Sequence, residues 1–379
     1  MSAAGVTAPR VGLIPSLDGL RAVSILFVFW AHAGLPGGVR GGTGVTIFFF
    51  LSGYLITTLM RVEKDRSGRI SLKDFYLRRL FRIFPPMYFA IALGLLLSVA
   101  GLLAATPTLG GVASSLFFFT NYWNIFANGV GVPDGLGVLW SLSVEEHYYL
   151  VFPLVYLLLQ RFLPSPRRQI MLLAAICLVV VAWRTWLFIG EGVDAPRVYY
   201  ATDTRIDSIL FGAMLAIGMN PVYGEIRTKR DWQLPVAAAA AFVVFLLVSF
   251  GPATINYTVG YTLQGIALMP IFAYLILAPR SWAGRILNWR PLVFVGVLSY
   301  TMYLVHSQFL HAVRYVTDIP VPAEAAIAAV LTFVVSWAVY RFIEKPMARF
   351  RKRLSNSGEA VDRLTPRVGE NETSAKLVG

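Results

Sequence analysis

The sequence predicts an all-α polytopic membrane protein with about ten transmembrane helices plus a re-entrant or outer-surface segment. Hydrophobic residues make up 57% of the chain, and mean hydropathy is +0.65. Apolar runs recur at close to the roughly 20 residues that a helix needs to cross a bilayer. The runs are continuous rather than alternating, which excludes a barrel of strands about 10 residues long.

The spans are placed in order over 14–33, 44–61, 85–105, 141–160, 168–190, 204–219, 234–251, 257–278, 291–313 and 324–343. The first follows a polar leader, 1–13, and carries Asp18 and Arg21 near its start, so no removable signal peptide is expected. With the N-terminus inside, the loop 61–84 holds eight basic residues against Glu63, Asp65 and Asp74. Later inside segments carry Arg161, Arg167 and Arg168; Arg227, Lys229 and Arg230; and Arg280, Arg285 and Arg290, while the outside loops offer only Arg40, Arg197 and Arg314. This is the asymmetry of positive-inside insertion, which puts both termini in the cytoplasm; the chain is expected in the cell inner membrane. It also decides one ambiguous run. SSLFFFTNYWNIFA, 114–127, is apolar enough to span, but counting it would invert everything downstream, so it is read as re-entrant or as lying on the outer surface.

The net charge of +13 is accounted for by topology and by attraction to anionic membrane lipids, so no nucleic-acid partner is expected. The lone Cys177 reads as a small buried apolar residue. Residues 346–379 read as a basic and then disordered cytoplasmic tail.

Charge in hydrocarbon is costly unless paired or facing a wet cavity, so intramembrane ionisable residues are candidates for function. Arg21 and His32 are eleven residues apart, about 20° in azimuth and roughly 16 Å along a helix. They face one cavity at different depths: Arg21 can hold phosphate or amide groups, and His32 can act as a general base. The plainer alternative is that Arg21 pairs with Asp18 and His32 caps the helix exit. DFYLRRLFRIFPPMY reads as a basic amphipathic turn along the headgroups, a lipid anchor or a phosphate clamp. In LWSLSVEEHYYLVFPL, Ser141, Glu145 and either Tyr148 or Tyr149 share a face, and Glu145 is placed level with His32, where a carboxylate can orient the imidazole. The paired glutamates leave Glu146 as an alternative. Arg184, Arg205 and Asp207 lie at that same outer level, as substrate contacts or as internal ion pairs. Ser299, Tyr303 and His306 recur on one helical face and are read as lining the cavity.

Taken together, the Arg21 and His32 spacing, GGTGVTIFFFLSG, RRLFRIFPP, WSLSVEEHYY, TRIDSILFG and SYTMYLVH resemble, in order, the acyltransferase 3 family of integral-membrane O-acyltransferases. The resemblance covers roughly residues 14–345. It implies a ten-helix domain that transfers an acyl group, usually acetyl from cytoplasmic acetyl-CoA, to a hydroxyl of a carbohydrate or glycolipid acceptor at the outer side. It further implies His32 as the catalytic histidine, Arg21 as its partner in the first-helix motif, and Arg79 and Arg82 as the arginines associated with CoA phosphates. His147 and Tyr148 stand where Gln and Phe are common. Acyl-CoA is expected as co-substrate, with no metal, and the membrane domain is expected to act without a fused hydrolase-like domain. A small hydrophobic acceptor such as a macrolide, or a transporter or flippase of a lipid-linked glycan, are the alternatives.

Overall fold

The computed structural model describes residues 14–38, 40–226 and 230–354. The expected leader, and the tail beyond residue 354, lie outside the described residues. Among these residues the protein is helical and has no strand. Fully hydrogen-bonded helices are what a chain in lipid must form.

The helices follow in order: α1 Leu17–His32, α2 Gly41–Ser67, α3 Leu72–Val99, α4 Leu109–Leu116, α5 Thr120–Phe126, α6 Leu139–Phe162, α7 Pro166–Thr185 and α8 Ala195–Tyr200. They continue as α9 Thr202–Gly218, α10 Gln233–Phe250, α11 Ala253–Ile255, α12 Tyr261–Leu277, α13 Trp282–Leu287, α14 Arg290–Val316, α15 Val321–Val339 and α16 Lys345–Leu354. Among the described residues, nine helical stretches are long and apolar enough to cross a membrane. The first expected span is α1, which at 16 residues is shorter than these. Leu178, Leu247 and Val330, on α7, α10 and α15, are 67%, 69% and 63% exposed. Such apolar exposure fits lipid rather than water, and the protein is a multi-pass membrane protein.

The interior is a row of helices, with α1 between α14 and α2, and α2 against α9. Close approach there depends on glycine. A Cβ on Gly53 would stand 1.9 Å from the Ile209 carbonyl oxygen, and one on Gly212 would stand 2.0 Å from that of Phe50. Small residues at such crossings let backbones touch, which replaces the hydrophobic drive that lipid removes.

The segment 114–127 does not span, as expected, whereas the basic stretch before α3's prolines differs from the sequence expectation. No single helix runs through 114–127; α4 and α5 are eight and seven residues long, and Phe118 between them has φ 58°. Eight residues rise only about 12 Å, too short to span, as the charge bias requires. The basic stretch expected along the headgroups is instead the first half of α3, which continues through Pro85 and Pro86. Ser71 caps it, accepting from the Asp74 amide at 3.2 Å. A continuous helix turns Arg79, half-buried, and Arg82, exposed, toward a cavity between the helices.

Candidate active site

Six helices, α1, α2, α3, α6, α14 and α16, enclose a cavity of about 450 Å³. Its mouth carries Lys345 and Arg349 at the end of the bundle where the basic segments gather. Arg21, Arg79 and Arg82 line it, and Phe48, Ser141 and Tyr303 lie at its far end. The three arginines have different local partners. Arg21 pairs with Asp18, one helical turn earlier. The Arg79 guanidinium lies 5.1 Å from the Tyr149 ring centroid, and neither Arg79 nor Arg82 makes a hydrogen bond or ion pair among the described residues. Arg78, on the next face of α3, is held by Glu63 at 2.6 Å. Two cations without a carboxylate partner therefore face the space, a setting for a phosphate-bearing ligand.

His32 ends α1 at the opposite end of the bundle and is exposed there. Its Nδ1 is 2.9 Å from Nε2 of His306, which is fully buried. Nδ1 of His306 is 2.7 Å from the Tyr303 carbonyl oxygen, which can only accept. His306 therefore carries its proton on Nδ1 and accepts at Nε2 from the Nδ1–H of His32. His32 Nε2 is left with a free lone pair at the exposed side, the tautomer a general base needs. The Tyr303 ring stands between this pair and the cavity, 5.7 Å from the His306 ring, with its hydroxyl 2.7 Å from Ser141 Oγ. Tyr303 and His306 are both expected to line the cavity as substrate-binding residues; Tyr303 lines it, whereas His306 is buried against His32.

Glu145 is a correction. The sequence expectation puts it level with His32, but Oε1 accepts from Ser52 at 3.0 Å, Oε2 accepts from Tyr149 at 3.0 Å, and the residue lines the cavity. The Ser141–Tyr303 contact sets the register of α6 against α14. Glu145 lies one turn of α6 beyond Ser141, and Tyr303 lies three residues before His306, so Glu145 is about 10 Å from the His32 level. The reason is the covering layer: α4, α5 and the turn Leu136–Val138 occupy the outer end, so α6 starts inside the protein, with Leu136 and Leu139 buried. The neighbouring ambiguities also resolve. Tyr149 rather than Tyr148 shares the Glu145 face, and Glu146 does not line the cavity.

Arg184 and Asp207 are a second correction, since neither lines a cavity that a substrate could enter. Both are 0% exposed and lie 3.1 Å apart. Arg184 also donates to the carbonyls of Thr204 and Thr258 at 2.6 Å, and to the Thr262 hydroxyl at 2.6 Å. Its donors are thus taken up inside the bundle, joining α7, α9 and the start of α12. Asp207→Ala leaves that guanidinium buried and unpaired, so unfolding of the detergent-purified variant should show a loss of roughly 3–5 kcal/mol. Wild-type thermal stability in Asp207→Ala would contradict this structural role. Arg205 is equally buried but has no carboxylate within reach; it lies 3.6 Å from the Tyr261 ring centroid, with Phe49, Trp140 and Tyr199 around it. It backs an aromatic wall and lines neither cavity.

Glu344 went unremarked in the sequence. It lines the cavity and accepts from Thr301 Oγ1 at 2.6 Å. A carboxylate at the end of the last long apolar run was the available signal. Among the described residues, no group of three or more His, Cys, Asp and Glu side chains could hold a metal ion.

The family model described as an acyltransferase domain matches residues 14–341. The chain is 31% identical over 350 residues to the peptidoglycan O-acetyltransferase OatA of Listeria monocytogenes, covering 89% of this chain and 56% of that protein. It is 31% identical to the putative peptidoglycan O-acetyltransferase YrhL of Bacillus subtilis, over 88% of this chain and 55% of that protein. A putative O-acetyltransferase of Staphylococcus aureus is 30% identical, over 90% of this chain and 58% of that protein. The chain spans a little over half the length of these curated relatives. No solved structure matches.

Proposed function

We propose, since the chain belongs to the acyltransferase 3 family, that it is a membrane O-acetyltransferase moving an acetyl group from cytoplasmic acetyl-CoA to a hydroxyl of a cell-wall carbohydrate. The observation that carries this reading is the His32–His306 pair, a base with its lone pair at one end of the bundle, behind a cation-lined cavity that opens at the other. The relatives, named as peptidoglycan O-acetyltransferases, support acetyl as the group and peptidoglycan as the acceptor class.

The unpaired guanidinium groups of Arg79 and Arg82, with Arg21 beside them, suit the phosphates of CoA, and Lys345 and Arg349 flank the way in. The roughly 16 Å between Arg21 and His32 along α1 is comparable with an extended pantetheine arm. At the far end, His32 Nε2 takes the proton of the acceptor hydroxyl as its oxygen attacks the thioester carbon. A C–O bond forms, the C–S bond breaks, and the proton passes from His32 to the departing sulfur. His306 holds the His32 ring in the tautomer that this requires and faces the imidazolium as it forms. Glu145, bonded to Ser52 and Tyr149, holds the cavity wall on which Arg79 rests.

The reaction needs the two ends on opposite faces, with the basic end and both termini in the cytoplasm of a bacterial inner membrane. In a Cys177→Ser background, single cysteines at Gly37 and Gly192 should label with an impermeant thiol reagent in intact spheroplasts. Cysteines at Ser67 and Ser165 should label only after the membrane is opened. Labelling of Ser165 from outside would overturn the orientation. The product is tested by mass spectrometry of cell-wall fragments from cells with and without the protein, where loss of acetylated fragments is the expected result and an unchanged acetyl content contradicts it.

A further inference from the structure

A second cavity, of about 270 Å³, lies at the outer end between the start of α2 and the segment joining α10 to α12. Arg40, Tyr199, Asn256, Tyr257, Tyr261 and Gln264 line it, together with the first residues of α2. It lies next to His32. Gly41 forms part of its wall, and a Cβ there would stand 4.0 Å from His32 Nε2, so His32 packs against the Gly41 wall without lining the cavity itself.

Its polar groups are arranged for a ligand the protein does not itself supply. Gln264 is 1% exposed and Asn256 4%. Each amide nitrogen is used: Gln264 Nε2 donates to Ser249 Oγ at 3.0 Å, and Asn256 Nδ2 to the Val248 carbonyl at 3.3 Å. Both amide oxygens are buried without a partner, and so is Arg40 Nη1, while Arg40 Nη2 is held by the Gly251 carbonyl. A buried acceptor left unmet is costly, so two unmet acceptors and one unmet cationic donor on residues that line one cavity mark a recognition site. Three tyrosine rings complete it, and behind Tyr261 and Tyr199 the buried Arg205 guanidinium fixes their positions.

We propose that this pocket is the acceptor subsite and takes a single sugar ring. Hydroxyls of the ring donate to the oxygens of Asn256 and Gln264, an oxygen acceptor on it takes Arg40 Nη1, and its apolar face lies against tyrosine. The volume is just under the roughly 300 Å³ at which ligand pockets begin, which suits one ring with the rest of the saccharide outside. A hydroxyl of that ring, or of the ring next to it, then meets His32 Nε2 across Gly41. The inference rests on the acetyl-transfer reading and adds the residues that choose its acceptor.

The test measures binding of the β-1,4-linked N-acetylglucosamine tetramer, and separately of CoA, to protein in nanodiscs by calorimetry. Gln264→Leu removes a buried acceptor, and Tyr257→Ala removes a half-buried ring at the rim, where folding is least at risk. Each should weaken tetramer binding by roughly tenfold or more while CoA binding stays at the wild-type value. Tetramer binding as tight as wild type in both variants, or none in the wild type, overturns the subsite. Loss of both ligands together in both variants overturns it too, by assigning these residues to folding. The underlying reaction is scored apart, by acetylation of the tetramer from acetyl-CoA: wild-type kcat/KM for the tetramer in both variants overturns the subsite and leaves the reaction standing, whereas no acetylated tetramer from the wild type overturns the reaction.

Discussion

His32→Ala should lower acetyl transfer by about 10²–10⁴-fold with CoA binding intact, because it removes the base and leaves the donor cavity untouched. His306 separates the chemistry from its positioning. It touches no substrate, and its Nε2 accepts from His32 Nδ1 at 2.9 Å. His306→Leu should therefore reduce kcat by roughly 10²-fold with little change in KM, the cost of a misplaced base. His306→Gln should recover part of the rate, since an amide oxygen can accept the same N–H. Equal rates for His306→Leu and His306→Gln, or a His32→Ala protein that acetylates at the wild-type rate, would remove the histidine pair from the mechanism.

Replacing Arg79 and Arg82 together with Gln should weaken CoA binding far more than pantetheine binding. Each guanidinium bonded to a phosphate contributes roughly 1.5–3 kcal/mol, or about ten- to a hundredfold or more in Kd. Pantetheine carries no phosphate and should bind the variant almost as it binds the wild type. Binding of the two ligands can be compared by calorimetry on the purified protein. Equal losses would mean that the arginines hold α3 in place rather than the donor.

The spans were legible because hydrocarbon demands long apolar runs, and the reading of 114–127 came from the charge asymmetry, a constraint that acts along the whole chain. The candidate site was legible in part for the same reason: Arg21, His32, Arg79, Arg82 and His306 stand out as ionisable groups beside or inside apolar sequence. Their pairing was not. His32 and His306 are 274 positions apart, and nothing local couples them. The depth of Glu145 is not legible, because the start of the apolar run suggests an outer position whereas α6 begins beneath α4 and α5. Arg184 and Arg205 look alike in sequence; one is saturated by Asp207 and carbonyls, the other enclosed by aromatic rings, and only packing separates them. Asn256 and Gln264 drew no notice, since uncharged amides in an apolar run carry no signal until their unpaired oxygens are seen to share a cavity.

The central claim is that an acetyl group enters at the basic end and leaves on a carbohydrate at the other. The most direct measurement uses proteoliposomes of known protein orientation, loaded with acetyl-labelled acetyl-CoA and bathed outside in the N-acetylglucosamine tetramer. The account predicts labelled, O-acetylated tetramer outside and one CoA thiol released inside for each, both absent with His32→Ala. Tetramer crossing the membrane unacetylated, with no CoA released, would contradict it and mark the protein as a transporter.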